Sequence, residues 1–219
     1  KPNAHDMGKS IQQLPPMPKN AQELIRLSGN PNADITDLAA IIETDPSLSA
    51  QILRYAHSPL FAYPGEIDSI KTAVSRVLGF DMVMNLALGL AAVKPFRVQR
   101  GGPLGLDGFW RHAVYSASLI QALVKLMPAA QRPIAGRAYL AGLLHNFGHL
   151  LFGFLYKREF ALLNEMLSVN RDIPVAELEK TIFGLSHAEF GAILLSDWGL
   201  SEEIVSTITR TTMVPTLHT

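Results

Sequence analysis

AYLAGLLHNFGHLLF, residues 138–152, decides the fold because it joins the apolar period of a core helix to two adjacent polar side chains. Its large apolar residues recur at i, i+3, i+4 and i+7, the spacing of one buried helix face: Leu140, Leu143, Leu144 and Phe147. An unpaired polar group in such a core costs on the order of 1–3 kcal/mol, so His145 and Asn146 need hydrogen bonds or a metal. We expect Gly148 to end or bend this helix. His145 and Asn146 are the first candidates for a functional site.

The same helical period recurs along the rest of the chain, and no segment has the alternation of a convincing strand. Capping residues punctuate the first half: Asn20, Asp34 or Thr36, the pair Asp45-Pro46, and Asp68 each precede an apolar helical pattern. The second half predicts helices at about 107–127, 134–147, 159–169, 175–183, 187–198 and 201–210, with a shorter one ending near 156. The sequence therefore predicts an all-α protein.

Proline and glycine divide the chain into four parts. Residues 1–13 are polar and aperiodic, which predicts a flexible tail, and the folded domain is expected to span 14–212. Within it, a helical subdomain at about 14–94 is followed by a linker at about 95–107, whose centre is Gly101-Gly102-Pro103. A second helical subdomain follows at about 108–212, and the linker is the expected hinge between the two.

Composition excludes several classes of function. Nineteen basic residues balance nineteen acidic ones, so no net charge favours nucleic acid or an anionic membrane. The chain has no cysteine, which excludes disulfides, cysteine-bound zinc and thiol catalysis, and favours a cytoplasmic protein. The most apolar run, Val83–Val93, is about half the length of a membrane span, and the first ten residues lack the apolar segment of a secretion signal. We expect no membrane association.

Four histidines are candidates for chemistry in the second half: His112, His145, His149 and His187. A single helical histidine is more often a packing or surface residue than a ligand. His145 and His149 have the spacing of an HExxH zinc helix, but Asn146 replaces its glutamate, so we reject that motif. Gly184–Ala188, GLSHA, lacks the last glycine and the preceding strand of a nucleophile elbow.

Six blocks of sequence, in order, resemble one known family. They are LPPMP at 14–18, IIETDPSLSAQILRYAHSP at 41–59, SIKTAVSRVLGF at 69–80, FWRHAVYSA at 109–117, AGLLHNFGHLLF at 141–152 and SHAEFGAILLSDWGLSEEI at 186–204. Together they resemble the HDOD domain, whose fold is similar to that of HD phosphohydrolases and HD-GYP phosphodiesterases. The resemblance implies an HD-like helical bundle preceded by an N-terminal helical subdomain. It also implies a bacterial signalling protein, generally non-catalytic and often fused to receiver, GGDEF or EAL modules.

The resemblance also indicates where the metal site of active HD relatives would lie. His112 matches the early histidine, His145-Asn146 the His-Asp pair, and His187 a downstream histidine. Asn146 departs from the pattern because its amide is a neutral ligand, weaker than the aspartate carboxylate that holds a divalent cation. The late segment 208–212 offers neither an aspartate nor a His-His pair. These positions are therefore interpreted as a vestigial HD site.

Two hypotheses of function follow. The first is a non-enzymatic regulatory domain that binds a protein partner or a small signalling ligand and needs no cofactor. The alternative is a metal-dependent phosphohydrolase or cyclic-dinucleotide phosphodiesterase that uses His112, His145 and His187. A divalent metal held by these three histidines stays open, because neutral imidazoles alone can bind zinc.

Overall fold

The computed structural model describes residues 13–59, 61–133, 135–170 and 172–210. Predictions for residues 1–12, Ile134, Thr211 and Thr212 therefore lie outside the described residues. Helices account for 71% of the structure, and the described residues contain no strand. The all-α prediction is confirmed.

The first half consists of α1 (Lys19–Ser28), α2 (Ile35–Glu43), α3 (Pro46–Ala56), α4 (Ile70–Thr72, continued by a π-helix Ala73–Leu78) and α5 (Phe80–Val93). Two predicted caps are confirmed: the carboxylate of Asp34 accepts the amide hydrogens of the first turn of α2, and Asp45 does the same for α3. The caps predicted at Asn20 and Asp68 are wrong. Asn20 lies inside α1, and Ser69 caps α4 while Asp68 accepts a hydrogen bond from the Thr72 hydroxyl.

The second half consists of α6 (Leu106–Leu126), a 3₁₀ turn (Ala129–Gln131), α7 (Ala135–Leu144), α8 (Phe147–Leu155), α9 (Lys157–Val169), α10 (Val175–Phe183), α11 (His187–Asp197) and α12 (Glu202–Arg210). The expectation of one helix through Phe147, ended or bent by Gly148, is wrong. The helix stops at Leu144, and α8 begins at Phe147 with Gly148 inside it. The break falls on His145-Asn146, the two polar residues of the segment.

Gly148 has a packing role instead. A Cβ atom on this glycine would lie 1.9 Å from the carbonyl oxygen of His187, and one on Gly191 would lie 2.9 Å from the Gly148 nitrogen. Helices α8 and α11 thus cross with their backbones in close contact, which only glycine permits. This crossing brings the first residue of α11 against α8 and so positions one part of the site.

A single hydrophobic core extends through both halves of the described chain. It includes Leu24 and Ile52 from the first half and Phe147 and Phe190 from the second, and the edge of the Phe96 ring packs on Phe147. The segment Gly136–Leu155 has the length and apolarity of a membrane span, but 72% of its most apolar window is buried in this core. This segment forms α7 and α8, and α8 is buried along most of its length.

Candidate functional site

Two of the predicted site residues, His112 of α6 and His145 at the end of α7, form a direct pair. Their Nε2 atoms are 3.0 Å apart, and the Ser116 hydroxyl lies 3.4 Å from the His112 Nε2 atom. The Nδ1 atom of His145 lies 2.7 Å from the Gly142 carbonyl oxygen, one of the acceptors that the end of α7 leaves unpaired. The His145 ring therefore satisfies one carbonyl group of the last turn of α7.

These contacts fix the hydrogens of the pair. The Gly142 carbonyl can only accept, so the Nδ1 atom of His145 carries a hydrogen. Burial lowers the pKa of His145 to about 4, and the nearby His112 and His187 rings act in the same direction. The hydrogen bond to Gly142 raises this pKa but does not offset the effect of burial. His145 is thus neutral at pH 7. Its bare Nε2 atom accepts a hydrogen bond from the Nε2–H group of His112.

Asn146, the third predicted position, is half-buried between α7 and α8. It is the residue before α8, and its side chain does not cap that helix. It brings a neutral amide to the place where the HD resemblance expects a carboxylate. Neither sequence neighbour of His145, Leu144 or Asn146, therefore carries a charge.

The fourth predicted position, His187, belongs to a second cluster. Its Nδ1 atom lies 2.7 Å from Oε2 of Glu179 in α10, whose Oε1 atom is 2.7 Å from Nε2 of His149 in α8. The backbone N–H of His187 also donates to Oε2 of Glu179, over 2.9 Å. Three helices, α8, α10 and α11, thus meet at one carboxylate that is fully buried.

The electrostatics of this second cluster are those of a stabilised anion. Burial by itself raises the pKa of Glu179, but the hydrogen bonds from His149 and His187 outweigh it and hold the pKa at about 2. Burial lowers the pKa of His149 to about 4, and His187 lowers it further. The hydrogen bond to Glu179 raises this pKa but does not offset the effect of burial. Glu179 is ionised and His149 is neutral at pH 7.

Two histidines and a carboxylate are also a common ligand set for a divalent metal, and the ligand atoms of His149, Glu179 and His187 lie within 4.8 Å of one another. Tetrahedral ligands at bond lengths of roughly 2.0–2.1 Å would stand about 3.3 Å apart. The nitrogen–oxygen distances of 2.7 Å are hydrogen-bond distances instead. In this arrangement Glu179 accepts hydrogens from both imidazoles.

The vestigial positions are thus divided between two neighbouring clusters. His112 and His145 contact each other, whereas His187 turns its Nδ1 atom to Glu179. Among the described residues, His149, Glu179 and His187 are the one group of three such side chains close enough to share an ion. Glu179 is not among the predicted site residues, and His149 is a candidate only through the HExxH spacing that we reject. The available signal was that Glu179 lies four residues before Phe183, on the apolar face of α10.

A cavity of about 500 Å³ opens beside His145, between α6, α7 and α12. Its walls are mostly apolar and include Leu119, Ile120, Val124, Ala141 and Ile204. At its edge Arg137 of α7 pairs with Glu203 of α12, with Nη1 and Oε2 2.5 Å apart. The pair His112 and His145 therefore borders a mostly apolar cavity.

Comparison with known proteins gives one consistent family. A family model described as "HDOD domain" matches residues 14–213. A Treponema pallidum (strain Nichols) protein that is uncharacterised is 28% identical over 205 residues, 94% of this chain and 39% of that protein. The chain therefore spans less than half of that relative.

Solved structures agree with this result. A Marinobacter aquaeolei VT8 protein named for signal transduction has a TM-score of 0.81 at 38% identity, covering 97% of this chain and 47% of that one. A Geobacter sulfurreducens HDOD protein of unknown function has a TM-score of 0.74 at 27% identity, covering 95% and 70%. A Shewanella amazonensis SB2B protein named as a phosphohydrolase has a TM-score of 0.74 at 26% identity, covering 93% and 70%. The HD-like fold is thus shared with proteins of both names.

Proposed function

This chain belongs to the HDOD domain family, and from that premise we propose that it is a non-catalytic signal-transduction domain that acts by binding. Its partner would be a regulatory protein or a small signalling ligand. The name of the Marinobacter aquaeolei VT8 protein supports a signalling role for this chain.

The observation that carries the proposal is that, among the described residues, the histidines have no carboxylate beside them that is available to bind a cation. Asn146 stands in place of the aspartate, and Glu179, the carboxylate in contact with His149 and His187, already accepts three hydrogen bonds. In HD-type hydrolysis of a phosphodiester, a carboxylate supplies the charge that helps to hold the cation, and a base orients its water. His112 and His145 bind each other and supply neither.

The rival function is that of a metal-dependent phosphohydrolase or cyclic-dinucleotide phosphodiesterase. Two observations favour it: the convergence of His112 and His145 at 3.0 Å, and the name of the Shewanella amazonensis SB2B protein. Two neutral imidazoles are fewer ligands than catalytic zinc sites use, which is usually three. We therefore rank this function second.

The setting of the domain is part of the same proposal. We place it in the bacterial cytoplasm, without a cofactor, a nucleic-acid partner or a membrane contact, on the grounds of neutral charge and absent cysteine. Because the chain spans 47% of the Marinobacter protein, a receiver, GGDEF or EAL module in the same polypeptide is compatible with the proposal.

Elemental analysis and a hydrolysis assay with cyclic dinucleotides and generic phosphodiesters test the proposal. The unmodified protein should carry no stoichiometric divalent metal and should hydrolyse neither substrate. Asn146→Asp should raise the affinity for a divalent cation by on the order of tenfold, because it adds a charged ligand beside His112 and His145. It should not produce turnover, because the late segment 208–212 still offers no aspartate.

Asn32→Asp is the matched control, since the same charge is then added at an exposed position in the loop before α2. Its metal affinity should equal that of the unmodified protein. One equivalent of metal in the unmodified protein, together with hydrolysis that disappears in His145→Ala, would establish the rival function.

A further inference from the structure

Helix α6 exposes large apolar side chains along one face. Four residues are involved, with 68%, 60%, 51% and 82% of their surface exposed: Tyr115, Leu119, Leu123 and Leu126. Their spacing of four, four and three residues places them on one side of the helix, and we call them the α6 stripe. The opposite side of α6 is buried through Phe109, Ala113, Ala117 and Val124. The stripe thus adds a second apolar face to a helix that already packs on the core.

The α6 stripe is continuous with the cavity beside His145. Leu119 belongs to both, and Ile120 and Val124 continue the apolar wall from α6 towards α7 and α12. From Tyr115 to Leu126 the stripe is about 16 Å long, roughly three helical turns. An occupant that covers it must be elongated, with side chains that enter the cavity of about 500 Å³. An amphipathic helix lying along α6 has this shape.

The charges on α6 indicate the chemistry of that occupant. After Asp107 the charged residues of this helix are Arg111 and Lys125, both exposed and both on the side of the stripe away from the cavity. Neither is in an ion pair with another described residue. Arg132 adds a third positive charge nearby, because its guanidinium donates to the carbonyl oxygens of Lys125 and Met127. Acidic side chains on the occupant would complement this border.

The same charges disfavour a second copy of α6 as the occupant. Between residues 108 and 126 this helix carries two basic residues, Arg111 and Lys125, and no acidic one. A second copy of this face, parallel or antiparallel, therefore brings positive charge to the interface and no carboxylate to pair with Arg111 or Lys125. Charges of one sign across an interface are unfavourable.

We infer that the α6 stripe and the adjoining cavity form a docking surface for an amphipathic helix of a partner protein, whose apolar side chains are bordered by acidic residues. This inference rests on the proposed function, because it names the class of partner that a binding domain would recognise. The partner helix lies along α6, places apolar side chains between α6, α7 and α12, and pairs its carboxylates with Arg111 and Lys125.

Two synthetic peptides test the surface. Each is a helix of about four turns with leucines at i, i+4, i+8 and i+11, and the leucines are bordered by glutamates in one peptide and by lysines in the other. Fluorescence anisotropy should give the glutamate peptide an affinity at least about tenfold higher than that of the lysine peptide. Arg111→Glu with Lys125→Glu should reverse this preference. A surface that binds through apolar contacts alone would show no such reversal.

Exposed apolar residues elsewhere provide the matched control. Leu119→Ser with Leu123→Ser should weaken binding of the glutamate peptide by at least about tenfold, because it removes the centre of the stripe. Leu162→Ser with Val169→Ser, exposed on α9, should leave binding unchanged. These four positions, like Arg111 and Lys125, are exposed, so we expect every variant to keep the fold, which circular dichroism checks.

Three results would overturn the inference. The first is equal affinity for the two peptides. The second is a dimer in light-scattering measurements that Leu119→Ser abolishes, which would make a second copy the occupant. The third is binding of a small apolar dye in the cavity without binding of either peptide. Hydrolysis measured on the same preparation tests the proposed function separately, so an inactive protein that binds neither peptide defeats the docking surface alone.

Discussion

Glu179 is an ionised carboxylate that is completely shielded from water, and its surroundings explain how the fold tolerates it. Two imidazole N–H groups and the first backbone N–H of α11 converge on its oxygens. The N-terminus of a helix also carries a partial positive charge, which favours an anion at this point. An isolated charge in a core would cost far more than the folded state can offset. Glu179 therefore links α8, α10 and α11 only while all three donors are present.

Replacing Glu179 should be among the most costly changes of a single residue. Glu179→Ala leaves two buried imidazoles and a backbone N–H without their acceptor, so we expect a loss of roughly 3–5 kcal/mol in the free energy of unfolding. Glu177→Ala, on the exposed side of the same helix, should cost less than about 1 kcal/mol. Urea denaturation of both variants measures the difference. Equal effects would mean that the cluster contributes nothing to stability.

The lowered pKa values of the histidines predict loss of stability in mild acid. His145 and His149 have folded-state pKa values of about 4, whereas the unfolded chain binds protons near the ordinary value of 6.5. Between these values the unfolded state holds more protons, so stability rises with pH and is fully present above about 6.5. Glu179 adds a contribution that is lost as the pH falls from 4.5 towards about 2.

We expect the free energy of unfolding to fall by roughly 3–4 kcal/mol between pH 7 and pH 5, about half of it from each histidine. Urea titrations at the two pH values measure it. His145→Gln should reduce the pH dependence, because one of the two titrating groups is removed. A free energy that is the same at pH 5 and pH 7 would mean that these histidines are protonated in the folded state.

At the scale of the element, two glycines allow the crossing of α8 and α11 that builds the second cluster. The main chain of α11 occupies the space in which any larger residue at Gly148 would place its Cβ atom. Backbone atoms cannot move aside as the end of a side chain can. Gly148 therefore holds His187 against α8, close to Glu179.

Gly148→Ala should destabilise the protein by about 1–3 kcal/mol or more, because the added carbon forces α8 and α11 apart. Gly101→Ala is the control, since a Cβ atom there meets nothing within 4 Å. It should be neutral or slightly stabilising, because alanine restricts the unfolded chain. Thermal unfolding of the two variants separates the effects, and a neutral Gly148→Ala would show that the crossing relaxes without cost.

The elements also show how far sequence reasoning reaches. Helix starts that depend on local chemistry, such as Asp34 and Asp45-Pro46, were predicted because the capping side chain and the amides it accepts are neighbours in sequence. The break at His145-Asn146 was misplaced, because the apolar period continues through it and Gly148 is the stronger local signal. Glu179 was missed because its partners come from α8 and α11, 30 and 8 residues away. Only tertiary packing brings them together.

At the scale of the whole molecule, the described chain has one core where the sequence predicts two subdomains. Leu143 of α7 lies against Gly89 of α5, where a Cβ atom would come within 2.3 Å of a Leu143 methyl group. Phe96, in the predicted linker, is buried against Phe147 and Phe154. The predicted boundaries at 94 and 108 and the hinge near Gly101 stay predictions, but side chains from both halves share one apolar interior.

This shared interior predicts that the two halves unfold together. Leu143 is fully buried at the contact between α5 and α7, so Leu143→Ala should lower the free energy of unfolding by roughly 2–5 kcal/mol. Leu162→Ala, at an exposed site on α9, should cost less than about 1 kcal/mol. Far-ultraviolet circular dichroism and the fluorescence of Trp110 and Trp198 should follow one transition in both variants, because loosening one contact destabilises a core common to both halves. Two separate transitions in Leu143→Ala would mean that the halves fold independently, and that the segment around Gly101 acts as a hinge.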